Sequence, residues 1–493
     1  MLTAMIFLPW CYLAYHTFAE NTGVHLPLYR RGGRLARHEL ANVTALSRIL
    51  CRVEDRYART YTDVDGNRVV RRWHDGPDSA DDFMLDGAGR DGSWYTKLQV
   101  GQPPQTLEVD IDMLSPEFYT IMTQSDQGSK YDTFFSTTHE PSNSYAHHLC
   151  QISTEIFHLP SAASLHLPFP VCKPPKYTHQ TLNPSGTILG LSPPGTSNSL
   201  SRLDAPSFLR QLLNQEMIEH NIFSLTLLDS QTGILSLGST IASTIEETKT
   251  RAQLGLKYLD SLHIPSEIAK MEEEIRGAMA FAIPPGSTHE HHFKWTDVGN
   301  GAVSGWHMTL MSGVWVDGVK VLRNQPVLLD INCPFILAPV GIIQTIYDSI
   351  PGARSLSSVV GHAQEANTED TRPFYTFPCL NEIDIAFEIA GWRFPLARSP
   401  PTGDDLVHGP AGGRFGLGRV NMSPGGNVSS DGVSTGYCVG VIVETMMGVR
   451  KEWRRASMRD VWVLGEPFFR GLGVTVDLGD EKGRASKIGL RVY

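Results

Sequence analysis

Apolar and polar positions change rhythm along this chain, and the changes mark its elements. Leu98 and Val100 lead into the turn Gly101-Gln102-Pro103-Pro104-Gln105, after which Leu107, Val109 and Ile111 alternate with polar residues and stop at Asp112. That period of two predicts a hairpin whose second strand delivers an aspartate. The glycine-bounded run Ser185-Gly186-Thr187-Ile188-Leu189-Gly190-Leu191 predicts a short buried strand. Phe208, Leu209, Leu212, Leu213 and Met217 recur at helical spacing after the start signal Asp204-Ala205-Pro206-Ser207, so a helix is expected before Asn221. Phe223, Leu225 and Leu227, then Ile234, Leu235 and Leu237 around Gly233, predict another hairpin.

From Ser239 to Met279 the chain turns strongly charged, with Glu246-Glu247 and Glu272-Glu273-Glu274 in a helix-like pattern, which predicts an inserted helical segment or an inter-lobe linker. Strand rhythm resumes at Phe293. Val327-Leu328-Leu329 is an unbroken apolar run ending in Asp330, the kind buried on both faces. Val461-Trp462-Val463-Leu464-Gly465 mirrors Ile188-Leu189-Gly190. An apolar strand ending in Asp and a later apolar-apolar-Gly strand therefore occur twice, as an internal duplication would produce.

The first ninety residues read differently. Residues 1–19 are apolar and end in Thr17-Phe18-Ala19, as a secretory signal peptide does, although no Lys or Arg precedes the run and Pro9 interrupts it. Residues 20–92 are rich in Arg, Asp and Gly, carry the dibasic pairs Arg30-Arg31 and Arg71-Arg72, and read as a pro-segment or flexible extension. An ordered edge element of the main fold is the other reading of that stretch.

Composition narrows the class. The 493 residues suffice for two large lobes. Lys+Arg 42 against Asp+Glu 52 gives a net charge of -10, with no dense basic run, which argues against a nucleic-acid partner. Gly 45 and Pro 31, with 19% charged residues, suit a turn-rich β protein. After the N-terminus no apolar stretch is long enough to span a bilayer, and the C-terminus carries no lipid-anchor tail, so a soluble product is expected, and with the apolar N-terminus a secreted one. Asn42-Val43-Thr44, Asn421-Met422-Ser423 and Asn427-Val428-Ser429 are glycosylation sequons that fit the same route. The seven cysteines form no CxxC pair, so neither zinc nor a redox motif is indicated, and spacing leaves Cys51, Cys150, Cys172 and Cys333 open as to pairing. Cys150 and Cys172 could clip a loop between them. His289-Glu290-His291-His292 looks like a metal cluster, but neighbouring residues in a Gly/Pro-flanked loop diverge and a spaced fourth ligand is missing; a solvated loop is the expectation.

In this order the pieces resemble a pepsin-like aspartic peptidase of the A1 type. They are Gly101 to Gln105, Asp112-Met113-Leu114-Ser115, Thr187 to Leu191, Ser207-Phe208-Leu209 with its helix, Asp330-Ile331-Asn332-Cys333, Phe377-Pro378-Cys379, Tyr437-Cys438-Val439-Gly440 and Trp462-Val463-Leu464-Gly465-Glu466, spread across about Trp94 to Tyr493. The resemblance implies a mainly β, bilobal fold around a central cleft, with residues 93–290 as the N-terminal lobe, including a charged helical insertion at about 239–290, and 291–493 as the C-terminal lobe. It implies an Asp112/Asp330 pair activating water, Ser115 supporting it, and a Cys379–Cys438 disulfide. It further implies a monomer that takes a peptide or protein into the cleft, with no metal and no cofactor. Two nearby carboxylates cannot both ionise, so they share a proton; the charged one takes a proton from water while the other polarises the scissile carbonyl.

The chain also departs from the family pattern. Where the family has Asp-Thr-Gly-Ser/Thr, Met113 and Ile331 lack the hydroxyls that grip one loop to the other, and Leu114 and Asn332 add bulk where glycine allows close approach. Cys333 lies beside Asp330, but no His is placed to activate it and it reads as packing. No Tyr-Gly-x-Gly flap segment lies between Tyr119 and Ile188; the nearest tyrosine, Tyr145, stays unassigned. The departures define the alternative, a secreted pseudo-peptidase that binds a peptide, protein or glycan without cutting it. A third reading, an intracellular structural protein with a fortuitous apolar N-terminus, is removed by finding the chain glycosylated in culture medium.

Overall fold

The computed structural model describes residues 24–31, 41–59, 93–114, 116, 118–121, 131–147, 150–159, 164–172, 187–192, 207–227, 232–239, 293–298, 307–360, 373–379, 381, 383–396, 415–420, 436–445, 447, 457–479 and 486–492. The expected signal peptide, most of the charged 239–290 segment, His289 to His292, Ser115 and the sequon residues Asn421 and Asn427 lie outside them.

These residues build a mainly β protein. In the first half of the chain the strands are β1 (Val24–Arg30), β2 (Trp94–Val100), β3 (Gln105–Asp112), β4 (Phe118–Ile121), β5 (Glu140–His147), β6 (Cys150–His158), β7 (Leu165–Cys172), β8 (Thr187–Gly190), β9 (Ile222–Leu227) and β10 (Thr232–Leu237). There follow β11 (Lys294–Asp297), β12 (Met308–Val316), β13 (Val319–Leu329), β14 (Ile336–Ala338), β15 (Arg354–Ser355), β16 (Tyr375–Pro378), β17 (Ile385–Ile389) and β18 (Trp392–Pro395). The last are β19 (Gly416–Val420), β20 (Tyr437–Gly440), β21 (Ile442–Glu444), β22 (Trp462–Leu464), β23 (Leu472–Asp477) and β24 (Lys487–Val492). Three helices matter below: α1 (Val43–Arg59), α2 (Phe208–Asn214) and α3 (Glu466–Phe469). None among the described residues is long and apolar enough to cross a membrane.

The largest sheet runs β11-β24-β23-β9-β10-β1-β2-β3-β8-β4-β7-β6-β5, so strands from the end of the chain continue the sheet begun at its start. A second runs β18-β17-β12-β13-β22-β14-β21, and a third β15-β16-β20-β19. The predicted hairpins are β2–β3 and β9–β10, and the predicted helix is α2, with Ser207 accepting the Arg210 N–H as its N-cap.

The duplication is visible in the strand pairing. In the first half β3 pairs parallel with β8, Asp112 opposite Gly190; β8 pairs antiparallel with β4, and β4 parallel with β7. In the second half β13 pairs parallel with β22, Leu329 opposite Leu464; β22 pairs antiparallel with β14, and β14 parallel with β21. Every residue of β8 and β22 is buried. That burial on both faces is why these strands read as unbroken apolar runs.

Within residues 20–92, the described segments 24–31 and 41–59 hold more order than the composition suggests. Val24, Leu26 and Leu28 alternate into the core, and β1 lies inside the sheet between β10 and β2, not at an edge. Val43, Leu46, Leu50, Glu54 and Tyr57 form the buried stripe of α1, with Asn42 Oδ1 accepting the Ala45 N–H at its start. The signal was present, but the polar residues between these positions hid it.

Gly465 closes the second repeat where no side chain fits. A Cβ there would lie 2.1 Å from the carbonyl oxygens of both Cys333 and Phe335. Gly465→Ala is expected to cost about 3 kcal/mol or more, read as a lowered urea midpoint.

Candidate functional site

The two aspartates occupy equivalent places. Asp112 is the last residue of β3 and is half-buried; Asp330 follows β13 and is fully buried. Each turns its carboxylate back on its own loop: Asp112 Oδ1 accepts the Leu114 N–H at 2.8 Å, and Asp330 Oδ1 accepts the Asn332 N–H at 3.1 Å. Each is also tied to its apolar-apolar-Gly strand, since Leu191 N–H donates to the Asp112 carbonyl at 2.8 Å and Asp330 N–H donates to the Leu464 carbonyl at 3.2 Å. Local sequence accounts for this, because an aspartate side chain readily accepts a main-chain N–H two residues on.

The loops are joined across the junction without threonines. Ile331 N–H donates to Met113 Sδ at 3.5 Å, and both side chains are fully buried. Asn332 does more: its Nδ2 donates to the carbonyl of Ile111, and its Oδ1 accepts the Trp94 N–H at 3.0 Å. The bulk that the sequence places at Asn332 is therefore accommodated and used as a bridge. Leu114 is simply buried.

A third link is His307, fully buried beside the ring of Phe223. Its Nε2 donates to the Leu191 carbonyl at 3.0 Å, and its own carbonyl accepts the Leu329 N–H at 3.1 Å. One residue thus connects the strand end behind Asp112 to the strand entering Asp330. Burial pulls the imidazole from its ordinary value of 6.5 down to about 4, with the hydrogen bond to Leu191 acting the other way.

The N-terminal segment reaches the same place. Tyr57, fully buried on α1, donates its hydroxyl to Asp330 Oδ2 at 2.8 Å. One turn earlier Glu54 Oε1 accepts the Thr445 hydroxyl at 2.9 Å. Arg30 pairs with the buried Glu466 at 2.7 Å, and Arg31 with Asp110 at 3.0 Å and with Glu108, its guanidinium 4.3 Å from the centre of the Tyr95 ring. The dibasic pair Arg30-Arg31 is therefore folded into the molecule.

Disulfides join Cys379 to Cys438, the pairing the resemblance implies, and Cys150 to Cys172; Cys51 and Cys333 remain thiols. Cys333 is fully buried, in keeping with packing. No group of three or more potential metal ligands occurs among the described residues. Sequence reasoning missed Tyr57, Trp94 and His307, and read Asn332 only for its bulk. Only Tyr57 carried a usable signal, the helical spacing from Val43.

Neither the models of known protein families nor the curated proteins give a match to this chain.

His307 makes a pH prediction. Between pH 6.5 and about 4 the unfolded chain binds a proton that the folded chain refuses, so stability falls as pH drops through that window. The loss is about 3 kcal/mol from this group, with none added below it. His307→Gln, which keeps a donor for Leu191, is expected to flatten that part of the pH dependence in urea unfolding at pH 7 and pH 4.

Proposed function

We propose that this chain is a secreted, pepsin-like aspartic endopeptidase, folded as two lobes around a cleft, whose acid pair is Asp112 and Asp330 and whose N-terminal strand and helix hold it latent. One observation carries the reading: two aspartates end equivalent strands of a repeated four-strand arrangement, and the loops that bear them are hydrogen-bonded to each other. Buried acids are rare unless a partner or a task keeps them. Two disulfides favour an oxidising, secretory route.

The chemistry follows from a pair sharing one proton. The ionised carboxylate takes a proton from water as the water oxygen bonds to the scissile carbonyl carbon, and the protonated carboxyl gives its proton to the carbonyl oxygen. The resulting diol collapses with a proton passed to the amide nitrogen, the C–N bond breaks, and a carboxyl and an amine leave. The proton belongs to the pair and is assigned to neither residue. In this reading the β5–β6 hairpin is the flap, clipped to β7 by Cys150–Cys172, with the exposed Tyr145 on it.

Latency rests on Tyr57. Its hydroxyl engages the carboxylate oxygen of Asp330 that water would need, and β1 with its two paired arginines anchors the segment that delivers it.

The test is peptide-library cleavage by the full chain from about pH 3 to 7. Cleavage is expected to rise as the N-terminal segment is lost, followed by mass spectrometry. Tyr57→Phe removes one hydrogen bond to a carboxylate and is expected to raise the initial rate about tenfold, whereas Asp112→Asn and Asp330→Asn abolish turnover. If the folded wild type cuts nothing once the segment is gone, or if Asp330→Asn cuts as well as wild type, the reading fails and the non-catalytic binding module takes its place.

A further inference from the structure

We propose that Asn332 is a positioning residue for the acid pair, its carboxamide supplying the tie that sets the Asp330 loop against the strand carrying Asp112. The role rests on the peptidase reading and adds to it the group that makes the pair's geometry.

Asn332 makes three hydrogen bonds in three directions. Its main-chain N–H holds Asp330 Oδ1, its Nδ2 holds the carbonyl of Ile111, the residue before Asp112, and its Oδ1 holds the N–H of Trp94 at the head of β2. The two side-chain partners fix the amide's orientation, because a carbonyl can only accept and an N–H can only donate. One side chain is therefore bonded to the chain beside Asp112 while its own backbone is bonded to Asp330. Neither aspartate loop can slide relative to the other without breaking one of these bonds.

Another tie between the loops, among the described residues, is weaker in kind. Met113 offers a thioether sulfur, a poor acceptor, at 3.5 Å from Ile331 N. His307 connects the strands behind the loops and bonds neither carboxylate in the contacts described above. Among these described ties the carboxamide is the strongest, and in a catalytic pair a displacement near 1 Å costs about a hundredfold in rate.

The experiment uses the full chain, assayed on one cleaved peptide after the N-terminal segment is lost in acid. Asn332→Ala is expected to lower kcat about a hundredfold while KM moves less than about threefold, since the side chain's bonds are all to protein. Asn332→Asp discriminates a positioning role from a structural one. Near pH 3 the introduced carboxyl is protonated, donates its O–H to Ile111 and accepts from Trp94, so kcat stays within about threefold of wild type. As pH rises that proton leaves, the donor is lost and an anion faces the Ile111 carbonyl. The ratio of variant to wild-type kcat therefore falls between pH 3 and 6. If Asn332→Ala does not fold, the Asn332→Asp profile decides.

A folded Asn332→Ala with kcat within threefold of wild type overturns the role and leaves the peptidase reading standing. So does Asn332→Asp with a pH-independent ratio. Absence of turnover by the wild type overturns the peptidase reading, and the role falls with it.

Discussion

A carboxyl group at the end of a packed strand has to be given donors, most of all where it is fully buried, as Asp330 is. This chain meets the requirement by repeating one arrangement. Each aspartate ends a strand that is paired parallel to an apolar-apolar-Gly strand, and each accepts the N–H two residues along its own loop. Because the carboxylates are satisfied locally on one oxygen, the second oxygen of Asp330 is left for another partner, here Tyr57. The all-buried β8 and β22 and the closed space at Gly465 follow from the same packing.

The junction is buried and polar. His307 bridges the two strand ends as a neutral ring, and its protonation is resisted down to about pH 4 by burial. The bridge that His307 makes is therefore held less firmly as pH falls from 6.5 to about 4. The N-terminal segment acts on the same place from outside. A strand that sits in mid-sheet, two arginines paired to acids and a phenol on Asp330 make a covering that is part of the folded molecule.

How much was readable beforehand differs by residue. Asp112 and Asp330 stood out because each ends an apolar strand, and α2 because its apolar residues recur every three or four positions after a serine cap. The order in residues 24–30 and 43–59 was harder to see, since Arg, Asp and Gly around them dominate the local composition. Asn332 was read for its volume, as an obstacle. Its bonds to Ile111 and Trp94 span sequence separations of 221 and 238 residues, a distance over which no local pattern reports.

By itself the sequence determined the strong periodicities: the strands β2, β3, β8, β9, β10, β13 and β22, the helix α2, where two acids end strands, and that this pattern occurs twice. Those depend on side chains a few positions apart, so neighbouring residues suffice to express them. Only the tertiary structure decided which groups meet at the junction: the amide of Asn332 with Ile111 and Trp94, the ring of His307 with Leu191, the hydroxyl of Tyr57 with Asp330, and Cys150 with Cys172. Those partners are chosen by strand pairing and burial, which bring together chemically ordinary residues from distant parts of the chain and leave each polar group only the partners within reach.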